Sequence, residues 1–291
     1  MSATYLGYRM TRWLSTRLPA PVAFRWAERL ADLRWRCSAE DRAAVQGNLS
    51  AILGASFSER TSLIREVFRN FGRYLVEFFS IHQTPEPEVR VEGYDHFKTA
   101  QERRRGMIVL TGHLGNWEVG AVVIRRMGFP ISVVALPHDD PRMDRLFNEQ
   151  RQRCGVDVIP LGPEAARCSL KSLRNGRLLG LLGDLEFGRH GLAVSPEAWE
   201  MTLPRGPAVL SLRGQVPVVP TFLIREGAWK FRLCFEPPIW PEAQEATEAS
   251  VRALTHTYAA VFGRYLKRFP EQWLMFNPMA HVPPSPPSGR R

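Results

Sequence analysis

Met107-Ile-Val-Leu-Thr-Gly-His-Leu-Gly-Asn-Trp-Glu118 is the stretch on which the fold and the chemistry turn. Met107 to Leu110 is an apolar run with β-branched members. It follows the polar Glu102-Arg-Arg-Arg-Gly106 and reads as a short buried strand. Gly112 and Gly115 then loosen the backbone. Asn116 is a residue type that caps helices, so a helix begins near it. His113 thus falls at the carboxyl end of a strand, where ligands bind in open α/β sheets. Two helical residues five apart point about 140° away from each other. A contact between His113 and Glu118 therefore needs His113 in the loop and Glu118 in the first helical turn. There the carboxylate would hold one imidazole nitrogen and leave the other to take a proton, as in a catalytic dyad. A structural histidine in a tight Gly112-His-Leu-Gly115 turn fits the same spacing.

Outward from this stretch, composition narrows the partners. The 291 residues suffice for one large domain or two small ones, and the 44% hydrophobic share is that of a globular protein. The formal charge of +10, mostly carried by Arg, implies an anionic partner: nucleic acid, a membrane surface or a phosphorylated substrate. No Lys/Arg-Gly-Phe RNA signature and no zinc-finger spacing is present, so no nucleic acid is expected. Cys37, Cys154, Cys168 and Cys234 form neither a metal pattern nor a disulfide framework, which fits a reducing compartment. No run approaches the ~20 apolar residues of a membrane span, and no signal peptide is visible. The expectation is a cytoplasmic protein, at most resting on a membrane.

Four helices precede the first strand. Thr4 to Leu18 carries Leu6, Met10, Trp13, Leu14 and Leu18 on one stripe. A second helix opens at Pro21 with Val22, Trp26, Leu30 and Leu33. Up to Arg36 there are seven Arg against Glu28 and Asp32. These stripes read either as core faces with solvated basic flanks or as an interfacial anchor on anionic headgroups. Ala39 to Leu53 is a third helix closed by Gly54. Ser58 to Phe79 is a fourth, with Ser58 as N-cap and Leu63, Val67, Phe68, Phe71, Leu75 and Phe78 buried. From Val89 strands and helices alternate, the pattern of an α/β fold with a mostly parallel central sheet and helices on both faces. Strands are expected at Val89–Val91, Ile131–Leu136, Asp157–Pro160 and Leu178–Leu182. Helices are expected at Trp117–Met127, Asp144–Cys154, Pro163–Leu173 and Thr247–Phe269. Val216-Pro-Val-Val-Pro220 reads as a proline-punctuated edge strand, and Lys230 to Phe235 completes a hairpin-like pair. The division is 1–84 helical and membrane-facing, 85–280 an α/β core and 281–291 a disordered Pro-rich tail.

A second constellation follows the Leu178–Leu182 strand: Gly183-Asp-Leu-Glu-Phe-Gly-Arg-His-Gly191. Right-handed crossovers would open this loop on the same sheet edge as His113. Its glycines let backbone amides approach an anion, and its Arg can grip a phosphate. A solvated, salt-bridged loop has the same composition. Asp-x-Glu alone supplies too few ligands for a metal, so none is expected.

His113-Leu-Gly-Asn-Trp-Glu118 resembles the His-x-x-x-x-Glu/Asp motif of the glycerolipid acyltransferase superfamily. The fuller Gly112-His-Leu-Gly-Asn-Trp-Glu118 is similar to its bacterial branch, the lipid A biosynthesis (lauroyl/myristoyl) acyltransferases, to which the phosphatidylinositol mannoside acyltransferases also belong. Asn48-Leu49, Asn70-Phe-Gly-Arg73 with Glu77, Leu203-Pro-Arg-Gly-Pro-Ala208 and Pro270-Glu-Gln-Trp273 carry further likeness; Val216–Pro220 looks like a strand lining the acyl pocket. The chain departs from the pattern at Ser195-Pro-Glu-Ala198, where lipid A enzymes have Pro-Phe-Phe-Gly, and in lacking their N-terminal spanning helix.

The resemblance implies a membrane-associated acyltransferase. It would move a fatty acyl group from a thioester on acyl carrier protein or coenzyme A to a hydroxyl of a glycolipid, at the cytoplasmic face of the bacterial inner membrane. A lipid A precursor is the default acceptor; a phosphatidylinositol mannoside or other lipid is the alternative. A hydrolase and a non-catalytic membrane-binding protein are the rivals. His113 would be the base, and Glu118 would fix its tautomer. Amides at the helix begun by Asn116 would hold the oxyanion. Asp184, Glu186 and Arg189 would contact the acceptor, and no metal or redox cofactor would be needed.

Overall fold

Strand β2, Met107–Thr111, is buried along its length because parallel strands flank it on both sides: β5, Leu178–Leu182, and β8, Val218–Gly227. In the computed structural model, residues 3–54, 61–83, 86–102, 105–186, 190–196 and 199–279 are described. Strands β1 (Glu88–Glu92), β3 (Ile131–Ala135), β4 (Asp157–Pro160) and β9 (Lys230–Phe235) complete a seven-stranded sheet of order β1-β9-β8-β2-β5-β3-β4. Every pairing in it is parallel except the β8–β9 hairpin. The expected α/β class, parallel sheet and preceding helices are all present. The edge-strand reading of Val216–Pro220 fails: β8 lies inside the sheet, and Pro217 falls just before it, giving its carbonyl to the Ile108 N–H at 2.9 Å.

Strand alternation sorts the side chains into two core layers. Val109, Ile131, Leu178 and Leu223 pack under α5 (Tyr94–Gln101) and α6 (Trp117–Arg126). Ile108, Leu110, Leu179, Leu181 and Phe222 pack under α8 (Ala165–Arg174), α9 (Gly206–Gly214) and α10 (Glu248–Arg268). Helix α7, Pro141–Arg153, joins β3 to β4. Two elements escape the sequence reading. Helix α5 spans eight residues with Phe97 and Ala100 buried, too short to show a period. The two-stranded ribbon of Leu192–Val194 and Met201–Leu203 has strands of three residues.

The N-terminal helices are α1 (Ala3–Arg17), α2 (Ala20–Cys37), α3 (Ala39–Leu53) and α4 (Thr61–Ser80). Their apolar residues join the layer containing Ile108 and Leu110, so helices and sheet share one core across the expected boundary at residue 84. Asp32 of α2 accepts from both Arg65 and Arg69 of α4. Those two guanidiniums hold its carboxyl well below the usual carboxylate range. Asn48 of α3 donates to the carbonyls of Met275 and Asn277 and accepts from the Met279 N–H, clamping the C-terminal segment. The first two apolar stripes are only partly covered: Leu6, Met10 and Trp13 on α1 and Trp26 and Leu33 on α2 are exposed, Trp13 by 58%, while Leu14, Leu18, Val22 and Leu30 are half-buried. No described helix is long and apolar enough to cross a membrane. The expected Ser58 cap, Glu197-Ala198 and the 281–291 tail lie outside the described residues.

Candidate active site

The site follows from the register of two strands. Thr111, at the end of β2, pairs with Leu182 at the end of β5. Two residues past each lie His113 and Asp184, so the pairing offset carries the imidazole and the carboxylate to adjacent positions at the carboxyl edge. The loop expected to open beside His113 does so. The Asp184 Oδ1 lies 2.8 Å from His113 Nδ1, and Oδ2 accepts the His113 backbone N–H at 2.7 Å. Trp273 Nε1–H donates to the same Oδ2 at 3.0 Å. Gly112 is required between them, since a Cβ there would meet Asp184 Oδ2 at 2.8 Å.

Asp184 is 2% exposed. Burial by itself would raise its carboxyl. The charge of His113 and the hydrogen bonds from its ring, from Trp273 and from the His113 backbone outweigh burial and hold it below the ordinary carboxylate range. With Asp184 ionised, His113 Nδ1 carries the hydrogen and Nε2 the lone pair. Nε2 has no hydrogen-bond partner among the described residues, and the ring lines a cavity.

The C-terminal segment fixes this loop. Leu274 N–H donates to the His113 carbonyl at 2.7 Å, and Gly115 N–H donates to the Gln272 carbonyl at 3.0 Å. Gln272 in turn exchanges two hydrogen bonds with the Arg225 backbone, at 2.9 and 3.0 Å. Gly115 has φ 66°, and a Cβ there would sit 2.0 Å from the Leu223 carbonyl oxygen.

Two of the expected residues meet other partners than expected. Glu118 does stand in the first turn of α6, but it does not orient His113. Its carboxylate accepts from Arg151 Nε of α7 at 3.0 Å, and the two form a buried ion pair on the cavity wall. The reason is geometric: the sheet register delivers Asp184 beside the ring, while α6 carries Glu118 towards α7. Asn116 caps α6 as expected, accepting from the Val119 N–H at 3.1 Å. Its amide donates to Glu77 at 2.7 Å, and the side chain is fully buried. Asp184, expected at the acceptor, instead commits both carboxylate oxygens to His113 and Trp273. Glu186 lines the cavity. Arg189 lies outside the described residues. Trp273 was within a recognised motif but had no role from sequence, because its partner is 89 residues away.

Beneath the site, Glu77 of α4 accepts from Arg225 Nε at 2.8 Å, and Arg225 also donates to Asn70 at 3.1 Å. Glu77 is fully buried, so this network ties the helical segment to the cap of α6.

The cavity has a volume of about 1070 Å³. Val109, Ala121, Ile124, Val133, Leu181 and Leu210 contribute apolar walls, and Glu118, Arg151, His138 and Arg205 contribute polar ones. A second cavity of about 560 Å³, between α2, α4 and the β8–β9 turn, shares no lining residue with it.

An imidazole held by a buried carboxylate, facing an apolar cavity at the carboxyl edge of a parallel sheet, is an arrangement suited to enzymes that activate a hydroxyl or water. The chain belongs to the bacterial lipid A biosynthesis acyltransferase family, whose model matches residues 2–279. It is therefore an acyltransferase. The phosphatidylinositol mannoside acyltransferase of Mycolicibacterium smegmatis is 26% identical over 243 residues, 80% of this chain and 78% of that protein. The lipid A biosynthesis palmitoleoyltransferase of Escherichia coli K12 is 26% identical over 272 residues, 90% and 86% of the two chains. The lauroyltransferase of the same organism is 27% identical over 200 residues, 66% and 63%.

Proposed function

We propose that this acyltransferase moves a fatty acyl group from a thioester of acyl carrier protein or coenzyme A to a hydroxyl of a membrane glycolipid, with His113 as general base and Asp184 as its orienter. The observation that carries the reading is the bare Nε2 of His113 facing the apolar cavity while Asp184 holds Nδ1. The acceptor oxygen attacks the thioester carbonyl carbon as Nε2 takes its proton. The new C–O bond forms, the tetrahedral intermediate collapses and the C–S bond breaks. The imidazolium then returns the proton to the departing thiolate. The N–H groups of Trp117 and Glu118, the first two of α6, have no intrahelical acceptor and are the donors for the oxyanion. No covalent acyl-enzyme and no metal enters this scheme.

The acceptor class rests on the relatives, which act on lipid A precursors or phosphatidylinositol mannosides by name. The protein works peripherally at the cytoplasmic face of the inner membrane. Leu6, Met10 and Trp13 on α1 and Trp26 and Leu33 on α2 are exposed, as are Arg9, Arg17, Arg25 and Arg29 on the same two helices, and Tyr8 of α1 reaches the cavity wall; exposed apolar and basic side chains together support docking on an anionic membrane. The test has two arms. Lipids of the host with and without the gene, compared by mass spectrometry, should differ by one acyl chain on one glycolipid. Sedimentation with anionic liposomes should exceed that with neutral ones and fall only partly in high salt. An unchanged lipid profile would sink the acyl-transfer reading, and indifference to anionic liposomes would sink the docking reading.

A further inference from the structure

We propose that the cavity holds two apolar chains at once, on opposite faces of the sheet: the donor's acyl chain under α6, and a chain of the acceptor itself along α8 and α9. The lining residues give the argument. Gly180 and Val133 face one side of the sheet, while Leu181 and Val134, their chain neighbours, face the other; all four line the same cavity. A cavity lined from both faces must wrap over the carboxyl edge, where His113 sits. Single small ligands fill cavities of about 300–1,000 Å³, and the observed volume of about 1070 Å³ lies just above that range.

The two lobes differ in the way that donor and acceptor differ. The lobe under α6 is blind. Its far walls are Ile124, Ile131 and Leu233, each almost fully buried. From Ala135 at the edge to Ile131 is four strand residues, ~13 Å of depth for a linear chain. Gly180 forms part of its floor beside Val133: a Cβ there would meet Val133 Cγ1 at 3.0 Å, so a side chain at this position must displace Val133. The lobe along α8 and α9 is open. Leu170, Leu210 and Ala166 line it, and Leu136 and Leu161 at its rim are exposed by 43% and 45%. Arg205 and Arg213 stand on the same wall. An acyl tail needs only length, which the blind lobe supplies. An amphipathic acceptor must keep its headgroup in water while its chain is buried, which the open, Arg-edged lobe allows. The hydroxyl then reaches Nε2 from the opposite side to the thioester. The naming of the lobes as donor and acceptor rests on the acyl-transfer reading; the double occupancy does not.

The test is a ternary binding measurement on the full chain. A thioether analogue of a long-chain acyl-coenzyme A saturates the protein, and a radiolabelled alkyl glucoside below its micelle concentration is then titrated in. The glucoside should bind the saturated protein with little change in affinity. Gly180→Ala, or Gly180→Val where it folds, should weaken the long-chain thioether by about tenfold while a short-chain thioether is spared. Ala166→Trp, at an exposed helical position, and Leu161→Asp should each weaken the glucoside by about tenfold and leave the thioether in place. Mutual exclusion of the two ligands would overturn the proposal. So would glucoside binding that both groove variants leave untouched, because the glucoside would then sit elsewhere. Neither result bears on the base: that reading fails only if His113→Ala keeps full transfer.

Discussion

The cavity wall carries two histidines that each present a backbone N–H and Nδ1 to an aspartate, His113 to both oxygens of Asp184 and His138 to Oδ1 of Asp144 alone. His113 gives its backbone N–H and Nδ1 to Asp184 at 2.7 and 2.8 Å; His138 gives the same two groups to Asp144 at 2.7 and 2.8 Å. They differ in everything around the bonds. Asp144 is six residues from His138, and its side chain is 30% exposed. Asp184 is 71 residues from His113, sealed by burial, and takes a third hydrogen bond from Trp273. The local pair is the kind any turn at a helix start can form. The distant pair exists only because two parallel strands are in register, and it costs a buried charge that the fold must offset. Hydrogen-bond geometry alone does not mark a base; the environment that fixes its tautomer does.

The largest expected effect separates the two histidines. His113→Ala should lower transfer by about 10²–10⁴-fold with an unchanged melting curve, as expected for loss of a general base. His138→Ala should leave the rate within about an order of magnitude, since that histidine takes no proton in the reaction. Equal losses would erase the distinction.

Asp184→Asn probes the same contrast with less change in shape. Oδ2 accepts two hydrogen bonds, from the His113 backbone and from Trp273. The amide oxygen of Asn must take that place, so the amide NH₂ faces Nδ1 and donates to it. Nδ1 then becomes an acceptor and Nε2 carries the hydrogen, which removes the base. Transfer should fall by on the order of 10²-fold or more, with the donor KM little altered. Asp144→Asn should not change kcat.

Glu118→Gln is expected to act mainly through stability. It leaves Arg151 buried without its carboxylate, a loss of about 3–5 kcal/mol in denaturant unfolding. Glu118→Leu with Arg151→Met should recover most of it. Failure of the double variant to recover would mean that Glu118 does more than neutralise Arg151.

The smallest effects are in the pH dependence. Asp184 has a folded pKa below its unfolded value, so its contribution is fully present above the ordinary carboxylate range, about 4, and is lost as pH falls through the lower folded value. Trp273→Phe removes one hydrogen bond to the charged form, worth about 1.5–3 kcal/mol. It should move that loss to higher pH in melting curves. Asp144 is also held low: burial raises it, but the backbone and ring of His138 lower it further. Its wetter surroundings should make the pH-dependent stability removed by Asp144→Asn smaller than that removed by Asp184→Asn. A larger loss would invert the comparison.

Much of this site is legible along the chain, and the remainder is legible only across it. β2, the Asn116 cap and β5 follow from apolar runs and turn residues, and their sequence bounds differ from the observed ones by a residue at most. His113 and Asp184 both stand out as candidates. Their pairing does not, because nothing in either segment states that β5 lies next to β2. Glu118, five residues away, was the local choice, and helix α7 claims it instead through Arg151. The apolar stripes of α1 and α2 show the reverse case: periodicity identifies a helix face but not what covers it, and here Leu6, Met10 and Trp13 face outwards.

The tautomer of His113 tests the central claim most directly. In a ¹⁵N-labelled sample near neutral pH, with the His113 signals assigned by their loss in His113→Gln, wild type should show a protonated Nδ1 and a bare Nε2. Asp184→Asn should reverse the two, and Glu118→Gln should leave them as in wild type. A bare Nε2 that survives Asp184→Asn but is lost in Glu118→Gln would contradict the account and return the orienting role to Glu118.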